Sequence, residues 1–141
     1  MASSRTQGHN WERDCITKLA EVLELEKFQP KAKNEFTAEI GSSRMFSRRL
    51  DNEGIDIWMK ELFANIQCKK TLSKGKSVTT IDVQSLLDLE KKFPEEINIL
   101  LTRITQPAKS RERKLAEVMV VPYELGIKML TLLYDHTRNK E

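Results

Sequence analysis

Gly54-Ile55-Asp56-Ile57-Trp58-Met59-Lys60-Glu61-Leu62-Phe63-Ala64-Asn65-Ile66-Gln67-Cys68-Lys69-Lys70 is the stretch on which the fold turns. At helical spacing, Ile55, Trp58, Met59, Leu62, Phe63 and Ile66 form an apolar stripe about 100° wide or more. Lys69 and Lys70 then supply cations that favour a helix C-terminus. This reading predicts a helix through the whole segment, and it sets the expectation for both flanks.

Upstream, residues 1–9 are small and polar without periodicity, which predicts a disordered lead-in. From Asn10, a capping residue, Trp11, Cys15, Leu19 and Val22, joined by Ile16 and Leu23, recur at spacings of three and four, as in a helix running to about Leu25. Pro30 interrupts the chain beyond it. Phe36 and Ile40 at a spacing of four suggest a short helix, and Ser42 or Ser43 opens another carrying Met45, Phe46 and Leu50, stopping near Asp51, Asn52 and Gly54.

Downstream, residues 72–77 read as a loop. Thr79 is placed as a cap, with Asp82 three residues on and Val78 able to pack on Val83. The helix so begun carries Val83, Leu86, Leu87 and Leu89 and closes at Phe93, because the residue before Pro94 is pushed out of helical geometry. Ile97, Leu100, Leu101 and Ile104 fall at i, i+3, i+4 and i+7, the spacing of a further helix. Another holds Leu115, Val118 and Met119, with Val118, Val120 and Val121 the one place where a short extended piece is tolerable. Pro122 starts a last helix lined by Tyr123, Ile127, Leu130 and Tyr134 and widened by Met129, Leu132 and Leu133.

The expected fold class is all-α, a compact bundle or a short stack of helical pairs with six to seven helices, forming a single domain over residues 10–141. Composition agrees with one soluble core: 141 residues, 39% hydrophobic, 32% charged, with 5 Gly and 4 Pro, excludes collagen-like and Pro/Gly-rich disordered classes. Apolar runs reach only about four residues, far short of the roughly 20 that span a bilayer, so no membrane role is expected. Two cysteines, Cys15 and Cys68, make no disulfide framework and suit an intracellular setting, cytoplasmic or nuclear. The chain closes on Arg138, Asn139, Lys140 and Glu141 directly after a helix, as would one domain cut from a longer protein.

The net charge of +3 is the difference between 24 Lys and Arg and 21 Asp and Glu. The cations cluster: Lys69, Lys70, Lys74 and Lys76 stand in a stretch without acids, Lys109, Arg111, Arg113 and Lys114 meet only Glu112, and Arg44, Arg48 and Arg49 form a third group. These are candidate contacts for nucleic acid or an acidic partner, although no interleaved aromatics or known motif accompanies them.

Catalytic chemistry finds little footing. Cys15 or Cys68 with His136 is the one imaginable nucleophile and base, and the bland reading of each thiol as a small hydrophobe is better. Gly75, Lys76 and Ser77 resemble the end of a phosphate-binding loop, but Lys70 occupies the position of its first glycine. Asp51, Glu53, Asp56 and Glu61 are explained by a helix start. No metal-ligand spacing exists and no cofactor is expected. Trp11 and Trp58 are read as core residues, with Trp11 partly open.

The expected function is therefore a non-enzymatic helical interaction module that takes a peptide or helix of another protein in a groove between helices. Its anchors would be Tyr123, Ile127, Met129, Leu130, Leu132, Leu133 and Tyr134. A nucleic-acid-binding domain using the basic connectors is the alternative, and an enzyme with an unrecognised site a third; the oligomeric state is left open.

Overall fold

The computed structural model describes residues 4–28, 38–43, 54–62, 64–73, 80–106 and 113–139. Among these residues the chain forms three helices and five strands: α1 (Ser4–Leu23), β1 (Ile40–Ser42), β2 (Ile57–Met59), β3 (Ala64–Leu72), α2 (Gln84–Lys92), β4 (Ile97–Gln106), β5 (Arg113–Val120) and α3 (Tyr123–Asn139). The strands make one mixed sheet in the order β1-β2-β3-β4-β5. β3 and β4 are parallel, joined through α2, and every other neighbouring pair is antiparallel. The all-α bundle expected from the sequence is overturned by this sheet.

The decisive correction falls on residues 54–70. Gly54, at φ +84, adopts a backbone conformation that side chains disfavour, and β2 then leads through residues 60–63 into β3. The buried set is Ile55, Ile57 and Met59, an alternation with period two. Ile57, absent from the helical stripe, is fully buried. Helical spacing fits this segment only because two strands and a short connection happen to place apolar residues three and four apart.

The segment from Ile97 is also a strand. β4 is buried on both faces, with Leu100, Leu101, Thr102, Ile104 and Thr105 all inaccessible. A strand covered on both sides reads as a continuous apolar run and loses its alternation. β5 is the extended piece tolerated at Val118, lengthened back to Arg113, so the helix expected around Leu115 is absent.

The helices fare better. α1 begins at Ser4, upstream of Asn10, and ends where Glu24 takes φ 56. α2 starts after Val83 rather than at Thr79, with Asp82 Oδ1 accepting the Gln84 N–H at 2.9 Å, and Phe93 is its C-cap. α3 follows Pro122 as expected. The short helices placed around Phe36 and around Met45, together with Val78 and Thr79, lie outside the described residues.

α1 covers one face of the sheet. Trp11, Cys15 and Ala20 pack there with Ile40, Ile57, Met59, Ile66 and Leu101, and Trp11 Nε1 donates to the Leu101 carbonyl at 3.1 Å. Trp11 is 7% exposed, a core residue. On the other face, α2 sets Leu86 and Leu89 against β3 and β4.

Candidate functional site

β2 and β3 share one register pair, Ile57 with Ile66, and diverge beyond it. Asp56 stands at this fork. Its N–H donates to the Ile66 carbonyl at 2.7 Å, and its Oδ2 accepts the Cys68 N–H at 2.8 Å. The side chain thus replaces a ladder bond, and Asp56 lies against the stretch of β3 centred on Gln67.

Gln67 and Lys69 are two apart on a strand and so share a face. Gln67 Oε1 is buried and accepts no hydrogen bond; a Cβ placed on Gly54 would be 3.5 Å from it. This oxygen is one of four buried side-chain polar atoms without a hydrogen-bond partner among the described residues, with Ser43 Oγ, Ser85 Oγ and Thr105 Oγ1, and an acceptor so left costs about 1–3 kcal/mol. Lys69 Nζ reaches Asp82 Oδ2 at 3.2 Å, a half-exposed pair of small energetic weight. Asp82 is held below the usual carboxylate range by the Gln84 N–H and then by Lys69.

α1 carries a second carboxylate. Glu12 is buried at 7% exposure although it is charged. The Cys68 thiol is pushed up by its hydrogen bond with Cys15 and by burial, and further by the charges of Asp56 and Glu12. Among the described residues no group of three or more His, Cys, Asp and Glu side chains converges as a metal site. Asp56 and Gln67, level across the β2–β3 register, bring one carboxylate and one amide oxygen to this fork, whereas Glu12 belongs to α1 on the opposite face of the sheet. Hard cations such as Mg2+ favour oxygen donors of this kind and retain several waters beside them.

The end of β1, the start of β2, the ends of β3 and β4 and the start of β5 lie at one end of the sheet. The segments bearing the three basic clusters attach to those strand ends. Arg44, Arg48, Arg49, Lys74, Lys76, Lys109 and Arg111 themselves lie outside the described residues. Lys69 and Lys70 are on β3, and Arg113 and Lys114 open β5. Lys70 is paired across the sheet with Arg103, and burial followed by the Arg103 charge lowers its pKa. Arg103 in turn lies 4.5 Å over the Trp11 ring and bridges Asp14 and Glu117.

Cys15 and Cys68 come together as free thiols, whereas His136 is on α3, exposed. The seven apolar anchors all lie on α3, and each is exposed, from 37% for Met129 to 77% for Tyr123. Sequence reasoning treats Asp56 only as a helix-start acid and passes over Gln67. The signal that finds them is the alternation Ile55, Ile57, Met59 after Gly54: once residues 54–70 are a hairpin, an acid before the first strand meets Gln67 and Lys69 in the second.

Compared with models of known families, with characterised proteins and with solved structures, the chain matches none. No helix among the described residues is long and apolar enough to cross a membrane.

Proposed function

We propose that this end of the sheet binds a nucleic-acid backbone and hydrolyses a phosphodiester bond with the help of a divalent cation, in place of the non-enzymatic module expected from the sequence. The observation that carries the reading is the fork itself, where the Asp56 carboxylate flanks a buried, unpaired Gln67 oxygen, with Lys69 next on the same face. Asp56 and Gln67 would hold the cation, which would supply polarisation of a phosphoryl oxygen and a more acidic bound water. Lys69 gives up its weak pairing with Asp82 to neutralise the charge that grows on the phosphoryl oxygens. Water adds to phosphorus, the bond to the leaving oxygen breaks, and the proton lost by the water is balanced by one gained at that oxygen.

The basic segments give the affinity. Phosphate neutralisation by Lys and Arg makes binding fall steeply with salt. The reading places the protein inside the cell, cytoplasmic or nuclear, where nucleic acid is found and thiols persist. A second reading, a protein partner held by α3, draws support from that helix's exposed side chains.

The test is incubation of the full chain with labelled single-stranded, duplex and branched DNA and with RNA, in Mg2+ or Mn2+ and in chelator. Cation-dependent cleavage lost by at least 100-fold in Asp56→Asn, with affinity retained, is the expected result. Salt-dependent binding without cleavage reduces the reading to the nucleic-acid-binding alternative. Neither binding nor cleavage overturns it.

A further inference from the structure

α3 leaves the opposite end of the sheet, where β5 finishes, and it is the least satisfied element among the described residues. None of its residues is buried, and it packs extensively on no other described element. Its first two turns stand beside the α2–β4 connection, where Glu124, Leu125 and Lys128 border Glu90, Pro94 and Glu96. A helix of 17 residues is marginal in water without packing partners.

Its polar residues favour one stripe, with His136 and Thr137 of the last turn outside it. Glu124, Lys128, Thr131, Asp135 and Arg138 recur at i, i+4, i+7, i+11 and i+14, and Tyr123, Ile127, Leu130 and Tyr134 form the seam beside it. We infer that this seam is covered by the same helix of a second copy of the chain, packed antiparallel about a two-fold axis. The inference is independent of the chemistry proposed for the other end.

Two features favour that occupant. The first is charge. On a two-fold antiparallel pair the same flank of each helix meets. A register centred between Leu130 and Thr131 sets Ile127 opposite Tyr134 and Glu124 within one position of Arg138. One register therefore satisfies both apolar and ionic partners, each contact occurring twice. A parallel pair sets Glu124 level with Glu124 and Arg138 level with Arg138. The second is area. Tyr123, Ile127, Leu130 and Tyr134 of the seam and Leu133 on its flank, exposed by 42 to 77%, offer on the order of 600 Å² per chain, the lower end of specific interfaces, whose standard is ~800 Å² per partner.

Sedimentation equilibrium of the full chain over micromolar to hundred-micromolar concentrations tests this. The expected mass is twice the 16.4 kDa of one chain, and Leu130→Glu returns it to one, with the circular dichroism of the sheet unchanged. Glu124→Arg weakens association by at least 10-fold, and adding Arg138→Glu to it restores association, which a nonspecific apolar contact does not do. A wild-type chain monomeric throughout, including one that sediments with anionic lipid vesicles instead, overturns the inference. So does a dimer indifferent to Leu130→Glu, or a Glu124→Arg defect that Arg138→Glu leaves unrepaired.

Discussion

The two ends of the sheet make opposite compromises. At the end where β3 and β4 finish, polar and charged groups are drawn inward: Glu12 is buried, Gln67 Oε1 lacks a partner and Lys70 faces Arg103. At the other, apolar side chains are turned outward along the whole of α3. Burying polarity and exposing hydrocarbon both cost stability. The core between the ends is what makes both tolerable.

That comparison can be broken most severely at Trp11, which anchors α1 over the sheet next to the acidic fork. Trp11→Ala removes a buried ring and its bond to Leu101, and a loss of about 3–5 kcal/mol is expected from urea unfolding at fixed chain concentration. Gln67→Met separates function from stability. It deletes the unpaired oxygen, so the unfolding midpoint stays level or rises by up to about 1 kcal/mol, while any rise in melting temperature produced by Mg2+ disappears. An equal cation response in the variant argues against Gln67 as a donor.

At the opposite end, Leu132→Asp is expected to change folding stability by no more than about 0.5 kcal/mol, because the side chain is 70% exposed. A large loss would mean that α3 packs against its own chain. The smallest effect is a pH dependence. The hydrogen bond from Arg103 holds Glu117 below the usual carboxylate range. Its contribution is therefore complete above the ordinary Glu value and fades as pH falls through the depressed one. Solvent screening limits it to roughly 0.5 kcal/mol. A difference between wild type and Glu117→Gln at neutral pH that closes on acidification checks the direction.

Parts of this were legible in the sequence. α1, α2 and α3 follow from local signals: apolar spacing around Trp11 and Cys15, the stop at Phe93 and the start at Pro122. Such signals depend on neighbours within a turn. The sheet depends on partners far away. β4 is a strand because α1 and α2 cover both its faces, which its own residues state only as continuous hydrophobicity. The site was hidden for the same reason. Asp56 and Gln67 are 11 positions apart and meet only in a hairpin. The apolar width of α3, by contrast, is a property of one helix and was readable in the sequence, whereas its place at an edge rather than at the centre was not.

The parallel pairing of β3 with β4 also governs the order in which the molecule assembles. β4 and β5 are joined by a short connection and can zip together early, whereas β3 must wait for α2 to be threaded across before Asn65 reaches Asn98, its register partner. Asn65 Nδ2 donates to Asn98 Oδ1 at 2.8 Å, with Asn98 bonded in turn to the Phe93 carbonyl. This small amide clasp fixes the strand register at the moment of closure. Until it closes, β3 presents a bare edge to any neighbouring chain.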